Sequence, residues 1–131
     1  MKIFVSYTMR DSLMSNATLR RLETLVGKLG HPYIDCLHNK SLNPQRHVIE
    51  RLQESSFLFA CITPGFFKSE WVRLELNIAK MKRIPVIALP VKSLIENKFG
   101  GKEIEYATRR LANGNFNRVK VNGDRFFLLA E

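Results

Sequence analysis

Short apolar runs alternate with amphipathic segments along the first 90 residues of the chain. Runs rich in β-branched and aromatic side chains predict four strands, at Lys2–Tyr7, Tyr33–Leu37, Phe57–Ile62 and Ile84–Leu89. Apolar residues at helical spacing predict three helices between them, over about 11–29, 44–55 and 70–83. This alternation, with its short loops, predicts an α/β fold in which helices cover both faces of a mostly parallel sheet.

Polar residues indicate where the helices begin. Asn43 followed by Pro44, and Ser69 before the next helix, are typical of helix N-termini. Asp11 is expected to cap the first helix in the same way. Local sequence therefore supports each predicted helix at its start.

The last 40 residues have a weaker pattern. A helix is predicted over 103–112, and two short strands, Arg118–Val121 and Arg125–Leu129, flank Asn122-Gly123-Asp124. An Asn-Gly sequence between apolar runs is typical of a β-hairpin turn. We expect a hairpin at the C-terminal edge of the sheet.

Length and composition indicate one ordinary globular domain over residues 1–131. The chain is 45% hydrophobic and 25% charged, and its longest apolar run is too short to cross a membrane. No signal-peptide pattern is present, so we expect a cytoplasmic protein with no membrane contact. Cys36 and Cys61 lie in apolar runs and are interpreted as core residues, and with three histidines no metal site is expected.

A net charge of +9 is the one unusual bulk property. It is compatible with a nucleic-acid surface, with attraction for anionic nucleotides, or with solubility alone. The basic residues are dispersed and never form a block of five, which makes nucleic acid an unlikely partner.

Glu75 differs from the other helical glutamates because it lacks a local basic partner. Its neighbours three and four positions away are all apolar: Trp71, Val72, Ile78 and Ala79. Glu23, Glu50, Glu54 and Glu70 each have an arginine at such spacing. Apolar surroundings raise the pKa of a carboxyl group, so either a tertiary contact or a ligand is expected to meet Glu75.

The position of Glu75 is compatible with contact to a ligand. Its helix follows the third predicted strand, and open parallel sheets bind ligands outside the carboxyl ends of their strands. Phosphate-loop, dinucleotide-fingerprint and nucleophile-elbow motifs are all missing from the sequence. A carboxylate at position 75 of this helix can project toward the crevice at that edge.

Several segments together resemble the Toll/interleukin-1 receptor (TIR) family. The segments are Phe4-Val5-Ser6-Tyr7 with Arg10-Asp11, Tyr33-Ile34-Asp35, the loop His38–Asn43, Ile62-Thr63-Pro64-Gly65-Phe66-Phe67, Ser69–Glu75 and Ile84-Pro85-Val86-Ile87. Trp-x-x-x-Glu alone is a weak signal, but the order and spacing match the family over residues 1–89.

The resemblance implies a flavodoxin-like three-layer sandwich with a central, mostly parallel five-stranded sheet of order 2-1-3-4-5. It also implies one of two functions. Some TIR domains cleave the nicotinamide–ribose bond of NAD, which is then a substrate and not a cofactor. Others are non-catalytic modules that associate with copies of themselves. In the enzymes the glutamate of Trp-x-x-x-Glu is catalytic, and it corresponds to Glu75.

The resemblance implies further substrate-binding residues. Ser6, Tyr7 and Thr8 match the end of the first strand, Tyr33 an aromatic position near the base, and Trp71 the wall beside Glu75. Family members often carry an arginine directly after Ser-Tyr, whereas here Thr8-Met9 intervene before Arg10. Phosphate contact is then expected from Arg10 or Lys40, or is expected to be weak.

Each candidate also has a purely structural interpretation. Glu75 could be a paired structural carboxylate, Trp71 a packing residue and Tyr7 a core residue. Asp35 is unusual in an apolar run, and a helix or loop contact is its commoner explanation.

The leading hypothesis is a standalone bacterial-type TIR-like NAD glycohydrolase or cyclase that acts in defence or signalling, with homotypic association. The alternatives are a non-catalytic self-associating module and, less favoured, a basic nucleic-acid-binding protein. Glu75 buried in a salt bridge would favour the non-catalytic module.

Overall fold

Strands and helices alternate from Lys2 to Ile95 in the computed structural model, which describes residues 2–28, 30–39, 42–96, 118–121 and 124–128. The strands are β1 (Lys2–Ser6), β2 (His31–Tyr33), β3 (Phe57–Ile62), β4 (Val86–Pro90), β5 (Arg118–Val121) and β6 (Asp124–Leu128). The helices are α1 (Asn16–Gly27), α2 (Asp35–His38), α3 (Pro44–Gln53), α4 (Glu70–Met81) and α5 (Val91–Ile95). The predicted α/β class is confirmed. The helix predicted over 103–112 lies outside the described residues.

The strands form one sheet in the order β2-β1-β3-β4-β6-β5. Neighbouring strands from β2 to β6 are parallel, and β5 pairs antiparallel with β6. The described sheet therefore has six strands and not the expected five, because the C-terminal pair contributes both a parallel strand and an antiparallel edge strand. The edge hairpin anticipated from Arg118–Val121 and the residues after Asn122-Gly123 is present as β5 and β6.

Alternate side chains of the central strands point into two separate cores, as strand geometry requires. Ile3 and Val5 of β1, with Phe59 of β3, pack on the α1 side among Leu19, Leu22 and Val26. Phe4 of β1 and Leu58 of β3 pack on the opposite side, among Leu52, Val72 and Leu76 from α3 and α4. Helices thus cover both faces, and the sheet is the middle of three layers.

Two of the three predicted helix caps are confirmed. Asn43 accepts a hydrogen bond from the Arg46 N–H at 3.4 Å, and Ser69 accepts one from the Val72 N–H at 3.3 Å. The assignment of Asp11 was wrong, because α1 begins later and is capped by Ser15. Asp11 instead accepts the Gly65 N–H at 2.9 Å, which joins the segment after β1 to the segment after β3.

The second strand ends earlier than expected. Residues 35–37 were predicted to extend it, but they form the short helix α2. The Ile34 N–H donates to Nδ1 of His38 at 2.8 Å, and the Cys36 N–H donates to the Tyr7 hydroxyl at 3.0 Å. These donors are then unavailable to a strand ladder, so the chain turns. The turn brings Asp35 to the carboxyl edge of the sheet.

The two cysteines differ in their environment. Cys61 is fully buried, as expected of a core residue, and burial raises the pKa of its thiol to about 12. Cys36 is exposed on α2, so its interpretation as a core residue was wrong. The exposure of Cys36 follows from the early end of β2, because residue 36 lies on α2 and not in the sheet. No helix within the described ranges is long and apolar enough to cross a bilayer.

Candidate functional site

A cleft of about 190 Å³ opens at the carboxyl end of β1, between α2 and α4. Its lining comprises Val5, Tyr7, Thr8, Met9, Asp35, Trp71 and Glu75. This is the edge at which open parallel sheets bind ligands. Four of the seven residues predicted for the site, Tyr7, Thr8, Trp71 and Glu75, line the cleft directly.

Glu75 is the most deeply buried carboxylate in the cleft, with 5% of its surface exposed. The Ser6 hydroxyl donates a hydrogen bond to Oε1 of Glu75 at 2.8 Å, so the end of β1 holds a side chain of α4. Among the described residues no cation lies within ion-pair distance of Glu75. The tertiary contact anticipated from the sequence is therefore a neutral hydroxyl.

Burial raises the pKa of Glu75 to about 8, because the charged form loses most of its hydration. The Ser6 hydroxyl opposes this rise since it donates to the carboxylate, and the Trp71 side chain opposes it as well. The nearby Asp35 charge adds to the rise. This shift favours the protonated form of Glu75 near neutral pH.

Trp71 lies one helical turn before Glu75 and serves two purposes. It is half-buried and packs against the core between the sheet and α3 and α4. It also lines the cleft. The packing and site interpretations of Trp71 are thus compatible.

Tyr7 and Thr8 form the rim at the end of β1. The Tyr7 ring packs against the α1-side core, and its hydroxyl accepts the Cys36 N–H. Burial raises the pKa of Tyr7 above its ordinary value, so the hydroxyl stays neutral. Thr8 is 7% exposed and accepts a hydrogen bond from the Arg10 N–H at 3.4 Å. Because the Tyr7 ring packs against the core and also lines the cleft, the core and site interpretations of Tyr7 are compatible.

Three predicted site residues do not line the cleft. Ser6 contributes through its bond to Glu75. Arg10 is exposed, and its guanidinium donates to the Lys68 carbonyl at 3.5 Å. Tyr33 is buried against Phe4, with 5.6 Å between ring centroids, and its hydroxyl donates to Oδ1 of Asp35 at 3.4 Å. Lys40 lies outside the described residues.

The sequence interpretation missed Asp35 and Met9 as lining residues. Oδ1 of Asp35 accepts the Asn39 side-chain N–H at 2.7 Å as well as the Tyr33 hydroxyl. The available signal was a single carboxylate, Asp35, inside an apolar run. Met9 is 50% exposed and had no signal beyond its position after Thr8.

The cleft combines a buried acid, a second carboxylate, two hydroxyls and an indole. This set can accept protons, stabilise positive charge and stack against a planar ring. Within the ranges that the structure describes, no three or more His, Cys, Asp or Glu side chains form a metal-binding group. In comparisons with known proteins, no family model, curated protein or solved structure matches this chain.

Proposed function

We propose that this chain is a TIR-type domain of the flavodoxin-like fold that cleaves the nicotinamide–ribose bond of NAD, with Glu75 as the catalytic residue. The observation that carries the proposal is a buried carboxylate in a cleft at the carboxyl edge of the sheet. It is held by the neutral Ser6 hydroxyl and lies beside Trp71. The strand order from β2 to β4 also agrees with the order that the TIR resemblance implies.

The proposed reaction breaks the bond between C1′ of the ribose and N1 of the nicotinamide ring. The bonding electrons move to N1, so nicotinamide leaves as a neutral molecule and the ribose passes through an oxocarbenium-like state. A carboxylate at Glu75 stabilises that positive charge, as carboxylates do in glycoside hydrolysis. Water then adds at C1′ and its proton is released, or a ring nitrogen of the adenine adds and a cyclic product forms.

The raised pKa of Glu75 fits this role. A cationic ring in the cleft favours the ionised form of a neighbouring carboxyl group. Substrate binding then converts Glu75 from an acid to a carboxylate at the place where positive charge develops. Perturbed carboxyl groups of this kind cluster at functional sites.

The alternative is a non-catalytic TIR-like module that acts by self-association. A Glu75 buried in a salt bridge would favour that function, and the six ion pairs in the described part of the chain do not include it. The catalytic proposal is therefore preferred. Homotypic association, a cytoplasmic location and a role in defence or signalling belong to the same proposal.

The test is to incubate the purified chain at high concentration with NAD and to measure free nicotinamide. We expect release by the wild type and its loss in Glu75→Gln, which replaces the acid with an amide of similar shape. The matched control is Glu50→Gln, since Glu50 lies on the surface of α3 and pairs with Arg46. Folded wild-type protein that releases no nicotinamide under these conditions would contradict the proposal.

A further inference from the structure

The lining of the cleft is acidic, whereas the chain as a whole is basic. Asp35 and Glu75 supply two carboxyl groups, and no lysine or arginine is found among the described lining residues. The chain as a whole carries a net charge of +9. A site for the phosphates of a dinucleotide would be expected to contain cations. The carboxyl groups instead favour a positively charged ligand.

Arg10 does not supply the missing cation. Its guanidinium lies over the Lys68 carbonyl, and its side chain is exposed to solvent. The pyrophosphate of a bound dinucleotide would therefore meet no basic group among the described residues of the cleft wall. The described wall of the cleft is thus better suited to the cationic end of the ligand.

The volume of the cleft also favours a ligand smaller than a dinucleotide. At about 190 Å³ it is smaller than the roughly 300–1,000 Å³ that is typical of pockets for larger ligands. A planar ring and its sugar match this space better than a complete dinucleotide does. Trp71 is suited to contact a cationic ring, because indole is the side chain with the strongest cation–π attraction.

Asp35 can contact such a ligand through one of its two carboxylate oxygens. Both of its hydrogen bonds, from Asn39 and Tyr33, go to Oδ1. Oδ2 has no hydrogen-bond partner among the residues that the structure describes, although Asp35 lines the cleft. One oxygen thus fixes the side chain, and the other is available to a sugar hydroxyl or to a nearby positive charge.

We propose that the cleft recognises the cationic pyridinium N-riboside unit itself, through Asp35 and Trp71, and that it accepts ligands without a pyrophosphate or an adenosine. This inference rests on the proposed function and specifies its substrate class. Nicotinamide riboside would be cleaved like NAD. The C1′–N1 bond breaks with its electrons going to nicotinamide, water adds at C1′, and ribose, nicotinamide and one proton are formed.

Binding is tested with an uncleavable pair of probes, the 1-methylnicotinamide cation and neutral nicotinamide, which have the same ring. The wild type is expected to bind the cation about tenfold more tightly, a difference of about 1.4 kcal/mol. Asp35→Asn should reduce this preference to near parity. The amide keeps an Oδ1 acceptor for Asn39 and Tyr33, so the fold is retained, which a thermal melt verifies.

The matched control is the double variant Arg10→Ala/Lys40→Ala, which removes both cations that the sequence suggested for phosphate contact. It should leave the preference for the cation unchanged. Equal binding of the two probes would overturn the inference. So would failure of the cation to bind at about 10 mM, or a preference that the double variant abolishes.

Turnover distinguishes the inference from the proposed function. With the wild type, we expect kcat/KM for nicotinamide riboside to lie within about tenfold of that for NAD. Cleavage of NAD with nicotinamide riboside more than about 100-fold slower would overturn the inference and leave the proposed function intact. If neither is cleaved, the proposed function fails, and the binding preference still decides whether the cleft recognises the cation.

Discussion

Helices α3 and α4 pack on the same face of the sheet, but their glutamates differ in burial and in hydrogen-bond partner. On α3, Glu50 pairs with Arg46 at 2.9 Å, and Glu54, which follows the last residue of α3, pairs with Arg51 at 3.0 Å. On α4, Glu75 is buried and is met by a hydroxyl. Surface ion pairs of the α3 type contribute little to stability, whereas a buried carboxyl group without a cation is costly unless it stays protonated.

Burial without charge compensation thus distinguishes the candidate site on α4 from the solvated face of α3. A helix needs no buried acid to pack against a sheet. An apolar side chain at position 75 would avoid the desolvation free energy of a buried carboxyl group. Under the proposed function, the carboxyl group of Glu75 serves the reaction and not the packing of α4.

The largest effect is expected from Glu75→Gln in the NAD assay. Loss of the carboxylate that stabilises the developing positive charge should slow nicotinamide release by about 10²–10³-fold. Glu50→Gln should leave the rate unchanged within error. Equal rates for wild type and Glu75→Gln would show that the buried glutamate has no part in the reaction.

A second effect concerns stability against pH. Because burial raises the pKa of Glu75 from 4.5 to about 8, the folded chain keeps a proton that the unfolded chain releases between these values. The free energy of unfolding should therefore fall as the pH rises through this window, with a limiting slope of about 1.4 kcal/mol per pH unit from this group.

Denaturant unfolding at several pH values measures this slope. The difference between wild type and Glu75→Gln isolates the contribution of Glu75, since other titrating groups are shared. The variant should gain stability relative to the wild type from about pH 5 to pH 8. A difference that stays constant across this range would mean that Glu75 titrates normally.

Ser6→Ala tests the contact that holds the carboxyl group. Its hydroxyl lowers the pKa of Glu75, so its removal should raise that pKa further and destabilise the fold by about 1–3 kcal/mol. The control is Ser55→Ala, because Ser55 is also buried and donates to the Arg51 carbonyl at 2.7 Å. Only Ser6→Ala should shift the pH profile of nicotinamide release. An identical profile in both variants would argue against a role for Ser6 at the site.

The smallest effect is expected on α3. Arg46→Ala breaks an exposed pair with Glu50 and should cost only about 0.3–0.5 kcal/mol in the free energy of unfolding. Thermal melts at low and high salt measure it. A loss of several kcal/mol in the free energy of unfolding would mean that the ion pair between Arg46 and Glu50 is not a weak surface contact.

Local sequence predicted much of this arrangement because its causes are local. The predictions of the strand Phe57–Ile62 and of the helix caps Asn43 and Ser69 were confirmed, because each depends on neighbouring residues. The missing partner of Glu75 could be anticipated for the same reason, since helical neighbours lie within four positions.

The errors arose where distant contacts decide the structure. The strand expected at Tyr33–Leu37 ends because His38 and Tyr7 take backbone N–H groups, and Tyr7 lies 29 positions from Cys36. Asp11 bonds to Gly65, 54 positions away, and not to its own helix. Asp35 reached the cleft through the first of these changes, so spacing alone could not identify it.

The most direct test is to titrate Glu75 by carbon-detected NMR of its side-chain carboxyl group, with the signal assigned by its loss in Glu75→Gln. We expect a pKa near 8 for Glu75 without ligand and a lower value when 1-methylnicotinamide is added. A pKa at or below 4.5, unchanged by the cation, would contradict this expectation.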